Sequence, residues 1–331
     1  MGAYIIAEAG VNHNGRLDLA RELCLAAKNA GADCVKFQTW QTEKIITRSV
    51  AQADYQADNT GRTESQFDML KRLELSYDDF RAVKAYCDEI GIQFASTADE
   101  ADSLDFLLTL GIPFIKIGSG EIGNIPYLRY MGSKKKPVLL STGMSSLADV
   151  ELSLEALRQG GAEDITLLHC TTSYPCPYDR VNLRAMDTLR AAFGLPVGYS
   201  DHTEGIAIPT AAVALGATVI EKHFTLDRHM EGPDHLASTE PEAFRQMVSA
   251  IRQVEAGLGS GRKTPSPEER AISEVVLKRL VAARAIPAGT LLTAGDLTVE
   301  RIDRGLSARY WDLVIGTPAR RDYAADDAIE L

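Results

Sequence analysis

The chain has 331 residues, 45% of them hydrophobic and 24% charged, and a formal net charge of −11 at pH 7. That length suits one large α/β domain with a small appendage, or two ordinary domains, and the composition excludes disorder, collagen and, with no apolar run of the roughly 18 residues a spanning helix needs, a membrane helix. The acidic balance excludes broad binding to nucleic acid or anionic membranes, which requires basic surface to displace counterions, yet leaves room for an anionic small substrate gripped by a few lysines.

From the first residues to 256, short apolar runs alternate with segments of helical period. Strands are predicted at AYIIAE, CVKF, IQFAST, PFIKI, PVLLS, ITLLHC, PVGYS and TVIEKHF. Between them, stretches such as LDLARELCLAAKNAG, YDDFRAVKAYCDEIG and LADVELSLEALRQGG read as amphipathic helices stopped by glycine. Eight such βα units over about 250 residues predict a TIM barrel at 1–256. A doubly wound sheet is the rival, but AEAGVNHNG after the first strand lacks the G-x-G-x-x-G phosphate turn. The NHNG of 12–15 reads as a turn and helix N-cap. Residues 39–76 are long for a βα loop and follow a strand at the end where a barrel keeps its active site, so they are expected to form an active-site loop. GLGSGRKTPSPEER places a linker at 257–278, and the short β-like runs and turns of 279–331 predict a small β-rich domain. Five cysteines without a C-x-x-C pair read as reduced thiols. With no basic segment followed by a long apolar run at the N-terminus, they point to the cytoplasm.

In a barrel the C-terminal end of every strand points into one mouth. In order, those ends bring Glu8 and Asn12, Lys36 and Gln38, Thr97, Lys116 with Ser119 and Glu121, Ser141, His169, Ser200 with His202, and His223. Lys36 in VKF and Lys116 in IKI lie between apolar neighbours on strands expected to be buried on both faces, where a cation needs an anionic partner. With hydroxyls at Thr97, Ser119 and Ser141 they make a cradle for phosphate and carboxylate. The alternative is that one lysine, buried and neutral, forms a Schiff base with a carbonyl substrate. His202 and His223 end neighbouring strands, so their imidazoles can reach one ion, with Glu8 and Asp234 as available oxygen donors; a structural role is the alternative for each. His169 in LLHC faces either the mouth or a packed layer behind it. Tyr174 in YPCPY lines a sugar site or simply packs, His229 and His235 read as loop residues, and Cys170 and Cys176 read as inert.

The stretches IIAEAGVNHNG, VKFQTW, ASTADE, IKIGSGEIGN, LLSTGM, LLHCTTSYPCPY, GYSDHTEG and IEKHFTLDRHMEGPDHLAS, in this order through the barrel, resemble the sialic acid synthase family, phosphoenolpyruvate-dependent synthases of nine-carbon sugar acids. The tail resembles that family's antifreeze-like (SAF) domain. The resemblance implies a TIM barrel followed by a small β-rich SAF domain, and a domain-swapped homodimer. It implies an enzyme that condenses phosphoenolpyruvate with N-acetylmannosamine or a close analogue, a legionaminate-type sugar being the second candidate. By position it implies phosphoenolpyruvate contacts from Lys36, Lys116, Ser119 and Ser141, with Thr97 nearby. It also implies a divalent cation on His202 and His223, most commonly manganese, with magnesium or cobalt as alternatives. Glu8 joins those two histidines in the catalytic set, positioning groups or moving a proton. Gln38, Glu121, Tyr174 and Asp234 match family positions that line the site or contact the sugar. The loop YQADNTGRTESQF resembles the branch acting on N-acetylmannosamine-like sugars, with Asn59 and Thr60 as sugar contacts. One departure stands out. Relatives carry R-P-G-x-G in the C-terminal domain, whose arginine contacts the sugar's N-acetyl group across the dimer, whereas this chain reads ERIDRGL. Arg301 aligns with that arginine, and Arg304 is close enough to contend for the role.

Overall fold

A computed structural model describes residues 2–48, 50 and 65–330; Asn59 and Thr60 lie outside the described residues. The chain forms two compact units, Met1–Gly259 and Ser260–Leu331. The first is a closed barrel of parallel strands in the order β1-β2-β3-β4-β5-β6-β7-β8. They are β1 (Tyr4–Gly10), β2 (Cys34–Thr39), β3 (Gln93–Ala98), β4 (Ile115–Ile117), β5 (Val138–Ser141), β6 (Ile165–Cys170), β7 (Val197–Asp201) and β8 (Val219–His223). This is the TIM-type barrel expected from the alternating pattern.

Side chains alternate between the two faces of a strand, so one pairing register decides what the barrel interior contains. Ile6, Cys34, Ala95, Phe114, Leu139, Leu168 and Val219 pack together as an apolar layer that closes the barrel floor. Gly198 completes that layer without a side chain: a Cβ there would come 2.7 Å from Leu168 Cδ2 and 2.8 Å from Val219 Cβ. Two residues further along each strand, the same inward parity delivers Glu8, Lys36, Thr97, Lys116, Ser141, Cys170, Ser200 and Glu221. The opposite parity delivers Phe37, Phe94, Ile115, Ile117, Leu140 and Ile220 to the apolar shell between strands and helices. Glu8 stands opposite Lys36 on β2 and opposite His223 on β8, and Ser200 stands opposite Glu221. The polar constellation is thus a ring built directly on an apolar plug.

Helix ends follow local chemistry. Ser76 and Asp79 form a reciprocal capping box ahead of the helix Tyr77–Ile90, which ends in left-handed Gly91 at φ 73°. The NHNG segment does form the expected turn, with Asn14 at φ 51°. It does not cap the helix, however: Arg16 occupies the N-cap of Leu17–Asn29 and makes no side-chain cap bond. The asparagines act elsewhere. Asn12 Nδ2 donates to Phe224 O and Ser238 Oγ, both at 2.9 Å, and Asn14 Nδ2 donates to Glu231 O at 2.8 Å. His235 is likewise structural, with Nδ1 2.6 Å from Thr225 Oγ1. These bonds tie down the segment after β8 that carries Asp234.

The second unit contains an antiparallel pair, β9 (Arg279–Ala282) and β10 (Leu297–Glu300), around a small core that includes Leu280, Leu297, Val314 and Ile329. The stretch read as a linker also contains a helix, Pro267–Val276, whose start is a capping box between Ser266 and Glu269 with proline in the first turn. The S-P-E-E pattern is a helix start, and counting its proline and serine only as linker composition hid it. Among the described residues no helix is long and apolar enough to cross a membrane.

Candidate active site

Lys36 Nζ ion-pairs with Glu8, donates to Thr97 Oγ1 at 3.0 Å and lies 3.7 Å from Glu221 Oε2. Lys116 Nζ donates to Ser141 Oγ at 2.8 Å and lies 3.4 Å from Glu221 Oε1, which also accepts from Ser200 Oγ at 2.9 Å. Glu221 therefore bridges both cations. Burial alone would raise its carboxyl, but the two lysines outweigh that and hold it below its ordinary range. Glu8 behaves oppositely: burial is its largest influence and lifts it above the usual carboxylate range despite Lys36. Burial pulls the Lys36 ammonium down, yet Glu221 and Glu8 more than offset this and hold it above its ordinary value. A lysine kept charged is the reverse of what imine formation requires, which counts against the Schiff-base alternative at Lys36.

The charge pattern suits an anion with two acidic ends. Two buried ammonium groups, Lys36 and Lys116, share Glu221 on the floor, with the hydroxyls of Thr97 and Ser141 beside them. Ser119 Oγ accepts from Gly143 N at 2.9 Å and lies 3.2 Å from Cys170 Sγ. Gly143 leaves no room for a side chain, since a Cβ would fall 2.3 Å from Thr172 Oγ1. The Cys170 thiol is raised, by burial first, which keeps it unreactive.

The imidazoles of His202 and His223 have centroids 5.5 Å apart, and the Tyr174 ring lies 4.3 Å from the first and 5.7 Å from the second. His202 Nδ1 bonds Thr171 O at 2.7 Å, which assigns the proton there and leaves the Nε2 lone pair for a ligand. His223 Nδ1 is buried without a hydrogen-bond partner, 3.9 Å from Asp234 Oδ2. Burial first, then the neighbouring His202 and Lys36, lowers the His223 imidazole to about 3; His202 is lowered for the same first reason. Two neutral imidazoles, one with an orphaned buried nitrogen, are donors that fit a divalent cation. Among the described residues no three His, Cys, Asp or Glu side chains converge as a complete protein cage. Water and substrate oxygen would therefore have to finish the coordination.

A cavity of about 220 Å³ joins these groups, lined by Glu8, Lys36, Gln38, Thr97, Lys116, Ser119, Ser141, Tyr174, His202 and His223 together with Asp99, Ser200 and Glu221. Gln38 Nε2 donates to Glu8 Oε1 at 3.1 Å. Asp234 lines an adjoining cavity of about 200 Å³ with Gln38, Tyr174, His223 and Met69, the last from the helix Gln66–Leu73 in the long segment after β2. Burial pushes the Asp234 carboxyl up to about 6. Glu121 is on the short helical turn after β4 and accepts from Asn124 Nδ2 at 2.6 Å. Arg301 and Arg304 are exposed residues of the second unit, just after β10.

His169 stays out of this cavity. On β6 the inward parity belongs to Leu168 and Cys170, so His169 points outward, bonds Val181 O at 2.8 Å and sits 5.8 Å from the Tyr199 ring. His229 is exposed. Glu221 and Asp99 were not singled out from the sequence. For Glu221 a signal existed, because it lies two residues before His223 on one strand and therefore shares its face.

Fold and site together define a barrel enzyme with a cationic pocket. Residues 23–263 match the NeuB family and residues 279–330 the SAF domain, and the chain belongs to the NeuB family. It is 45% identical over 321 residues to the N,N'-diacetyllegionaminic acid synthase of Legionella pneumophila, covering 96% of this chain and 90% of that one. It is 39% identical over 299 residues to the human N-acetylneuraminate-9-phosphate synthase, covering 90% of this chain and 82% of the other. The crystal structure of an N-acetylneuraminic acid (sialic acid) synthetase from Leptospira borgpetersenii superposes with a TM-score of 0.72 at 32% identity, over 83% of this chain and 91% of that one.

Proposed function

We propose that this protein condenses phosphoenolpyruvate with N-acetylmannosamine and water, giving N-acetylneuraminate and phosphate, in the cytoplasm. The observation that carries the reading is the meeting of a two-lysine cationic floor with two neutral imidazoles in one cavity. Lys36 and Lys116, with the hydroxyls of Thr97, Ser119 and Ser141, hold the phosphate and carboxylate of phosphoenolpyruvate. A divalent cation, manganese first, held by His202 and His223, would supply Lewis-acid polarisation of the open-chain sugar aldehyde. Gln38, Glu121, Tyr174 and Asp234 position the sugar above that floor, so that C3 of phosphoenolpyruvate bonds to the aldehyde carbon. Glu8, lifted by burial and anchored by Lys36 and Gln38, carries the proton that the aldehyde oxygen gains. Water then adds at C2, and phosphate departs with cleavage of the C–O bond. A homodimer, and an Arg301 contact to the acyl group within it, belong to the same proposal; sedimentation of the full chain and the sugar KM of Arg301→Ala check them.

The name of the Legionella relative favours a second reading, with a 6-deoxy-diacetamido sugar as acceptor. A site built to bind hydroxyls discriminates strongly against analogues that lack them, so the two are separable by kinetics. Phosphate release is to be measured across a panel of amino sugars, with manganese and with chelator. N-acetylmannosamine should give the highest kcat/KM, and chelation should abolish turnover. A higher value for the diacetamido sugar would establish the second reading, and sugar-independent pyruvate chemistry would reject both.

A further inference from the structure

The cavity contains one acidic group that neither the lysine floor nor the imidazole pair uses. On β3 the inward parity runs through Ala95 and Thr97 to Asp99, which lines the cavity just beyond the end of the strand. Its backbone is fixed, because Asp99 N extends the ladder by donating to Thr39 O at 3.2 Å. The next residue shows what an acid does when the fold requires it: Glu100 accepts from Asp102 N at 2.7 Å and Ser103 N at 3.0 Å, capping the helix Ala101–Thr109. Asp99 has no such employment. Among the described residues no hydrogen bond reaches its carboxyl, and no lysine, arginine or histidine lies within ion-pairing distance of it.

An unpaired carboxyl in a partly desolvated pocket costs stability, and native proteins rarely keep one that no ligand satisfies. Burial first, and the negative charge of Glu121 second, push it up to about 7 against the pull of Lys36. Its place in the stack limits what it can meet. Thr97, two residues below, already belongs to the lysine layer through its bond from Lys36 Nζ at 3.0 Å. Asp99 is two residues nearer the mouth on the same strand face, in the cavity that Gln38 and His223 also line. Phosphate or carboxylate would be repelled there; a neutral donor would not.

We propose that Asp99 is a specificity-determining residue whose carboxyl takes a hydrogen bond from a hydroxyl or amide N–H of the acceptor sugar. The inference rests on the synthase reading above and narrows it. An acceptor presenting a donor to Asp99 is taken, and one presenting a methyl or bare ring carbon leaves the carboxyl buried and unpaired, which is the arrangement that gives polar sites their selectivity.

The test uses the full-length protein at saturating phosphoenolpyruvate, with Asp99→Asn and Asp99→Leu measured by phosphate release against N-acetylmannosamine, its singly deoxygenated analogues and the diacetamido sugar. The Leu variant is expected to raise the KM of the preferred sugar by about tenfold or more while the phosphoenolpyruvate KM stays within about twofold of wild type; the Asn variant, which keeps an accepting oxygen, loses less. One analogue, the one lacking the donor that Asp99 binds, should show no further loss in the Leu variant. The thermal midpoint of Asp99→Leu should match or exceed that of wild type, because a residue kept for the ligand is a burden on the empty fold. An unchanged sugar KM, a loss shared equally by phosphoenolpyruvate, or a lowered midpoint with all sugars equally affected would overturn the assignment. Failure of the wild type to use any amino sugar would remove the synthase reading and this inference with it, and is distinguished by appearing before any substitution.

Discussion

His223→Ala is expected to lower kcat/KM by on the order of a thousandfold or more while leaving the fold intact. The imidazole ends β8 with a buried nitrogen that has no hydrogen-bond partner, and it is held neutral first by burial. Alanine leaves the β1–β8 pairing in place, because that pairing is made by the backbone. It leaves His202 alone, and a single imidazole is a poor claim on a divalent cation. The check combines bound metal by elemental analysis, far-ultraviolet circular dichroism and steady-state rates. A metal-replete, fully active His223→Ala protein would refute the role.

Lys36→Met should have the largest effect on stability, lowering it by about 3–5 kcal/mol in urea unfolding at neutral pH. Lys36 lies between Glu8 and Glu221, all three buried, so removing it takes from Glu8 its ion-pair partner and leaves Glu221 with Lys116. Glu8, already above its ordinary range because of burial, loses the charge that drew it down and rises further. A carboxyl whose folded pKa exceeds its unfolded value binds more protons in the fold, so the variant should recover part of its stability as the pH falls from 8 toward 5 and lose it again as the pH rises. Adding Glu8→Gln should recover part of it at neutral pH. A variant as stable as wild type, or one insensitive to pH across that window, would mean that the buried triad is not held by charge. The phosphoenolpyruvate KM should rise in parallel, because the same ammonium is half of the cradle.

The barrel was legible because its signals are local. Apolar runs of strand length, helical periods and glycine stops repeat along the chain without any need for long-range pairing. Lys36 and Lys116 were legible for a related reason, since a cation flanked by apolar residues on a buried strand is conspicuous wherever it faces. Parity was harder. In IEKHF either Glu221 with His223 or Lys222 could face inward, and only the pairing of β8 with β1 and β7 decides it. Lys222 in fact turns outward and donates to Thr203 O at 2.7 Å. His169 lies near the end of the predicted strand ITLLHC, but the phase of β6 gives the interior to its neighbour Cys170. Asp99 is not marked in the sequence, because nothing local in ASTADE tells which of two adjacent acids caps the helix that follows. The helix Pro267–Val276 was lost to composition: proline and serine in its first turn resemble a linker until Glu269 is counted as the third residue of a capping box.

The central claim is that one cavity holds an enol phosphate on two lysines and joins it to a sugar aldehyde. Single-turnover reaction with phosphoenolpyruvate carrying oxygen-18 at its bridging position tests this most directly. The account predicts that phosphate forms only when an N-acyl amino sugar is present, that it carries the heavy oxygen, and that it appears in equal amount with a nine-carbon acid. Unlabelled phosphate, or labelled phosphate released at the same rate without a sugar, would contradict it.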